Sequence, residues 1–116
     1  MQVLLVEDDV AIALVVKTVL MQQGWSVHLE DNAENALEWD GRPTLLVTDY
    51  NLAGVLNGFI LGQRLRERCP HLAIVVMSGD FTDGQIIDDS MVVLSKPFRK
   101  QMLLEKISQA QKVIQA

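Results

Sequence analysis

Four short stretches of this chain place reactive side chains directly after an apolar run. Glu7-Asp8-Asp9 follow Val3-Leu4-Leu5-Val6, and Asp49-Tyr50-Asn51 follow Leu45-Leu46-Val47-Thr48. Ser78-Gly79-Asp80 follow the run from Leu72 to Met77, and Lys96-Pro97 follow Met91-Val92-Val93-Leu94-Ser95. Crowded carboxylates repel one another unless a hard divalent cation joins them. Mg2+ suits such a set, because it takes a few carboxylates and a carbonyl and keeps its waters. A carboxylate beside a metal is also a nucleophile for phosphorus, giving an acyl phosphate. Phosphoryl transfer needs little beyond positioning and charge stabilisation. In this arrangement Asp49 attacks, Lys96 supplies a compact positive charge for one phosphoryl oxygen, and Ser78 donates a hydroxyl hydrogen bond to another. The backbone carbonyl of Asn51 is placed to complete the shell of the metal.

These groups converge only if the elements before them lie side by side. Unbroken apolar runs of strand length read as strands buried on both faces, the pattern of a parallel sheet. Between them lie helical patterns. Residues 10 to 22 carry a dense stripe of Ile12, Leu14, Val15, Val16, Val19 and Leu20, with Asp9 as N-cap and Gly24 as the stop. Trp25 to Leu29 alternates as a half-exposed strand, and Asp31-Asn32 open a short helix reaching Trp39. Asp40-Gly41-Arg42-Pro43 is turn chemistry. A strand over 44 to 48 then leads into Asp49. Residues 59 to 68 read as a helix with Phe59, Ile60, Leu61 and Leu65 inward, stopped by Pro70. Phe81 to Ser90 allows one or two helical turns at most. Residues 99 to 115 form an amphipathic helix with Met102, Leu103, Ile107, Ala110, Val113 and Ile114 inward.

The sum is five βα units, an α/β fold with a doubly wound parallel sheet and a short or irregular fourth helix. Right-handed crossovers leave few ways to wind it. In the common 2-1-3-4-5 order, strands one and three are neighbours. Their acids then meet at the carboxyl edge, where open α/β sheets bind ligands.

The totals agree with one such domain. The chain has 116 residues, 49% hydrophobic, enough for a real core. A net charge of -5 argues against a direct nucleic-acid or membrane surface, since both are polyanionic. The single cysteine, Cys69, forms no internal disulfide and fits a reducing cytosol. Met1 runs straight into a strand-like segment with no signal-peptide pattern. No apolar run approaches the roughly 18 residues that cross a bilayer. A cytoplasmic location is therefore expected.

At this point the chain resembles a known family, the receiver domains of two-component response regulators. The resemblance covers essentially the whole chain. It rests on Leu4-Leu5-Val6-Glu7-Asp8-Asp9, Val47-Thr48-Asp49, Met77-Ser78-Gly79 and Ser95-Lys96-Pro97-Phe98, in this order on a βα repeat. It implies a flavodoxin-like (βα)5 fold and Mg2+-dependent transfer of a phosphoryl group from a kinase phosphohistidine to Asp49. The acyl phosphate is later hydrolysed. Glu7 and Asp8 match the acid pair of the family, with Asp8 the direct metal ligand and Glu7 acting through water. The implied partners are a sensor histidine kinase or a phosphotransfer protein, and a homodimer stays open. Residues 1–116 are expected to be a single receiver without an output domain, not an enzyme in the ordinary sense.

Three features depart from the family pattern. Val93 stands where an aromatic switch residue is common. The segment between Ser78 and Lys96 is a few residues short. The loop Asn51-Leu52-Ala53-Gly54-Val55-Leu56-Asn57-Gly58 lacks the usual proline and is one residue longer. That loop looks like those of receivers in hybrid sensor kinases, so the chain is either such a receiver cut out alone or a stand-alone one.

Two other functions compete. One is a small aspartyl-phosphate phosphatase, but Asn51 occupies the place where such enzymes carry a second aspartate. The other is an interaction module that keeps the fold without being phosphorylated. Among the remaining residues, His28 and His71 read as surface, and Cys69 as packing. Trp25 and Trp39 read as satellite core, and the charges of residues 64 to 68 as a solvated face.

Overall fold

The computed structural model describes residues 1–79 and 90–115. Five strands, β1 (Gln2–Val6), β2 (Ser26–Glu30), β3 (Leu45–Asp49), β4 (Ala73–Ser78) and β5 (Val92–Ser95), form one sheet in the order β2-β1-β3-β4-β5. All four pairings are parallel. The described helices are α1 (Val10–Gln22), α2 (Ala33–Glu38), α3 (Gly58–Arg68) and α4 (Lys100–Gln115). This is the doubly wound sheet expected from the βα alternation, and the flavodoxin-like fold that the family resemblance implies. The expected short fourth helix, in the stretch from Phe81 to Ser90, lies almost wholly outside the described residues.

The central strands have no polar face because both faces are covered. Every residue of β3 and β4 is buried. On one side Val3, Leu5, Val47 and Val75 pack with Val16 and Leu20 of α1 and with Leu103 and Ile107 of α4. On the other, Leu4, Val6, Leu46 and Ile74 pack with Ala33 and Ala36 of α2 and with Leu61 and Leu65 of α3. The two-residue period of the strands divides each run between these two cores.

Local chemistry sets the helix ends. The Asp9 carboxylate accepts from the Ala11 and Ile12 amides at 2.9 and 3.1 Å. Asn32 and Asn57 cap α2 and α3 in the same way, accepting from Asn35 and Ile60. Gly24 takes φ +85°, and its amide closes α1 on the Met21 carbonyl at 2.9 Å.

Several expectations are corrected by packing. Leu14 and Val15 do not join the inward stripe of α1; they are 64% and 60% exposed, beside Val10 and Met21. Met102 and Val113 of α4 are likewise exposed, and Phe59 and Ile60 are only half-buried. Trp39 is the C-cap of α2 and not part of the helix. Arg66 and Arg68 are not a solvated face. Arg66 donates to the Leu72 carbonyl at 3.0 and 3.2 Å and to Ser90. Arg68 donates to the carbonyls of Leu37 and Trp39. His28 is half-buried, stacked on the Trp39 ring with centroids 4.3 Å apart and hydrogen-bonded to Glu30 at 2.6 Å. Among the described residues, no helix is long and apolar enough to cross a membrane.

Candidate functional site

The parallel register sets the site. Val6 pairs with Thr48, so the next residues along β1 and β3, Glu7 and Asp49, come out side by side. Asp49 in turn pairs with Met77, and Ser78 with Ser95. Backbone bonds carry the ladder one residue past the strands. The Glu7 amide donates to Glu30, the Tyr50 amide to Met77 and the Lys96 amide to Ser78, at 3.1, 2.8 and 2.8 Å. The loops that hold the reactive side chains are thereby tied to the carboxyl edge of the sheet.

Carboxylate oxygens of Glu7, Asp8 and Asp49 lie within 4.8 Å of one another. Asp8 is exposed, whereas Glu7 and Asp49 are 2% and 8% exposed. Lys96 reaches in from beyond β5 and places Nζ 3.1 Å from Glu7 Oε2 and 3.1 Å from Asp49 Oδ1. Burial pushes the Glu7 and Asp49 carboxyls above their ordinary range, against the pull of the Lys96 ammonium. Burial disfavours the charged Lys96, but its bonds to Glu7 and Asp49 outweigh that and raise it.

The expected residues are therefore brought together in part by direct contact and in part by shared placement. Glu7, Asp8, Asp49 and Lys96 form one cluster. Ser78 stands at the end of the neighbouring strand, 1% exposed, and its Oγ has no hydrogen-bond partner among the described residues. A hydroxyl placed there can donate a hydrogen bond to a group bound at the strand ends. Asn51 shares with Asp8 a cleft of about 320 Å3 that also holds Gly54 and Asn57. The donor set is all oxygen, and the carboxylates are forced together by the register. Both properties fit a small hard cation such as Mg2+.

Two supporting residues were not singled out in advance. Thr48 is buried and its hydroxyl donates to the Asp49 carbonyl at 3.0 Å. Gly58 donates its amide to the Tyr50 carbonyl at 2.9 Å, closing the loop from 51 to 57. Its signal in the sequence is the Asn57-Gly58 pair, a cap followed by a residue without a side chain.

Comparison with known proteins decides the family. Residues 3–108 match the model of the response regulator receiver domain. The chain belongs to that family. Its receiver is 31% identical over 114 residues to the DNA-binding transcriptional regulator NtrC of Bradyrhizobium sp., covering 93% of this chain and 24% of that protein. It thus spans about a quarter of the length of the curated relatives it matches. A response regulator receiver protein from Sinorhizobium medicae superimposes on this receiver with a TM-score of 0.86 at 23% identity, over 98% of this chain and 96% of that one. The receiver domain of a sensor histidine kinase from Pseudomonas aeruginosa has a TM-score of 0.79 at 22% identity, covering 99% and 98%. That domain holds a magnesium ion coordinated in its active-site cleft. Receivers are two-component signalling modules that interact with histidine kinases, not conventional enzymes. The acidic pocket of this one, formed by Glu7, Asp8 and Asp49, is consistent with a phosphorylation site.

Proposed function

We propose that this receiver accepts a phosphoryl group onto Asp49 from the phosphohistidine of a sensor kinase or phosphotransfer protein, and that the modification switches its partner interactions. The observation that carries this is the bridging of Asp49 and Glu7 by the Lys96 ammonium, with the Ser78 hydroxyl, which has no partner among the described residues, at the next strand end.

In the step, a carboxylate oxygen of Asp49 forms a bond to phosphorus as the phosphorus–nitrogen bond of the donor breaks. The electron pair of that bond stays on the imidazole nitrogen, which takes up a proton. Lys96 balances the charge on one phosphoryl oxygen and Ser78 donates to another. Reversal of the signal is hydrolysis. Water attacks phosphorus, the Asp49 carboxylate is regenerated and inorganic phosphate leaves.

Asp8, Asp49 and the Asn51 carbonyl would hold Mg2+ directly, with Glu7 beside them. When bound, the ion supplies charge neutralisation between the carboxylates and the incoming phosphoryl group. The magnesium in the Pseudomonas aeruginosa receiver supports this choice of ion.

The test is intact mass after incubation with Mg2+ and a small phosphodonor, beside Asp49→Asn. A single phosphoryl adduct, absent from the variant and absent without Mg2+, is expected. A folded receiver that binds no Mg2+ and forms no adduct with donor or kinase would instead be an unphosphorylated interaction module.

A further inference from the structure

The outer face of α1 carries no charge. A surface helix ordinarily turns charged residues to solvent, and 22% of this chain is charged. Here Val10, Leu14, Val15 and Met21 are exposed, with Ala11 and Thr18 between them. Lys17, the one charged residue of the helix, is half-buried at the side. Thr18 donates its hydroxyl to the Leu14 carbonyl at 2.8 Å, so its hydrogen bond is made within the helix. Four of the nine exposed large hydrophobics among the described residues therefore stand on this one helix. On one flank Ile12 and Val15 line an apolar groove of about 380 Å3 against Pro97 and Phe98. Apolar surface gathered in one place in this way marks an interaction site.

The two ends of this face are opposite in charge. Asp8 and Asp9, both exposed, stand at the start of α1. At its end, about 20 Å away along the helix, Gln22 Oε1 accepts from the exposed Lys100 ammonium at 3.2 Å. We propose that the outer face of α1 docks a second copy of this chain, antiparallel, about a two-fold axis beside Leu14 and Val15. A two-fold axis brings the same patch against itself. Val10 of each copy then comes opposite Met21 of the other, and Asp8-Asp9 of each opposite Gln22 and Lys100 of the other. The pairing of acid with ammonium is thus made twice, and the two helix dipoles also run in opposite senses. Two copies of net charge -5 repel over most of their surfaces, but an uncharged face with one acidic and one basic end spares them that cost. A single helix face and its groove are small beside a standard interface of roughly 1,200–2,000 Å2, so the dimer is a reversible one. None of this depends on phosphoryl transfer to Asp49.

The experiment is sedimentation equilibrium of the unmodified receiver without divalent metal, from about 10 μM to about 1 mM, the range in which so small an interface associates. The average mass is expected to rise with concentration from that of one chain toward that of two. Leu14→Glu places a charge at the centre of the contact and is expected to weaken association at least tenfold, since an unpaired charge is costly to bury. Leu14 is exposed in the single chain, so the urea midpoint should stay unchanged and show that the variant is folded. Lys100→Glu leaves the apolar face intact and is also expected to weaken association, because an acid now meets Asp8 and Asp9 of the other copy. A receiver that stays monomeric at about 1 mM overturns the proposal and leaves the face to a different protein, such as a helix of the phosphodonor. A dimer that Leu14→Glu does not weaken forms through another surface, which also overturns it. A dimer weakened by Leu14→Glu but indifferent to Lys100→Glu overturns the antiparallel pairing of the charged ends.

Discussion

A Cβ built on Gly58 would stand 2.3 Å from the backbone carbonyl oxygen of Asp49. The first residue of α3 thus rests directly on the end of β3 that carries Asp49, and the obstructing atom is backbone that cannot retreat without moving that strand end. Gly58→Ala is expected to cost about 1–3 kcal/mol in urea unfolding, the usual range for overpacking, and to slow adduct formation on Asp49. Gly62, one turn on, is the contrast. The nearest atoms a Cβ there would meet are the flexible side-chain ends of Ile74 and Met91, at 3.0 Å each. Gly62→Ala should change stability by less than about 1 kcal/mol, because the gain in helix propensity offsets the tighter packing.

Ser78 separates function from stability. Its buried hydroxyl has no partner among the described residues, so removing it breaks no bond to them. Ser78→Ala should leave the urea midpoint unchanged or slightly raised. It should slow phosphoryl transfer by roughly tenfold, the kinetic worth of one hydrogen bond of about 1.4 kcal/mol in the transition state. A loss of stability with full transfer activity would place the hydroxyl in the core and not in the site.

The Asp49 carboxyl gives a signed pH dependence. Burial raises it, and the pull of Lys96 does not fully offset this. A folded-state value above the unfolded 3.8 makes the group favourable to folding at low pH, and that contribution is lost as pH rises through the folded value. At neutral pH, without divalent metal, ionised Asp49 therefore works against folding. Asp49→Asn should raise Tm at pH 7, with the gain shrinking as pH falls toward 4. A lower Tm at pH 7 would mean that pairing with Lys96 outweighs burial. Lys96 has the opposite sense. Burial opposes its charge, but its two carboxylate partners raise it above 10.5, so its stabilisation holds through neutrality and is lost only in strong alkali.

Arg66 joins α3 to both strand starts on the far edge of the sheet. Its guanidinium donates to the Leu72 carbonyl and to the Ser90 carbonyl, the latter at 2.7 Å. Arg66→Ala should cost about 2 kcal/mol by urea unfolding, in the range for hydrogen bonds made by a charged group. Arg66→Lys should recover little of it, because an ammonium cannot span two carbonyls with a planar fork.

The sequence by itself determined the strands, the helix cap at Asp9, the helix start at Asp31-Asn32, and the position of each reactive group at a strand end. These depend on neighbours within a few residues: an apolar run needs cover on both faces, and a short polar side chain satisfies the free amides of a helix start. Only the tertiary structure decided which groups touch. Lys96 meets Asp49 across 47 positions and Glu7 across 89, and no local pattern records how one ammonium is shared between them. Arg68 looked solvated because its carbonyl partners, on Leu37 and Trp39, lie about thirty positions away on another helix end. Leu14 and Val15 looked buried because apolar character alone does not reveal which side of a helix faces the sheet. That choice depends on the order and register of the strands, and so does the distance between every pair of groups in the site.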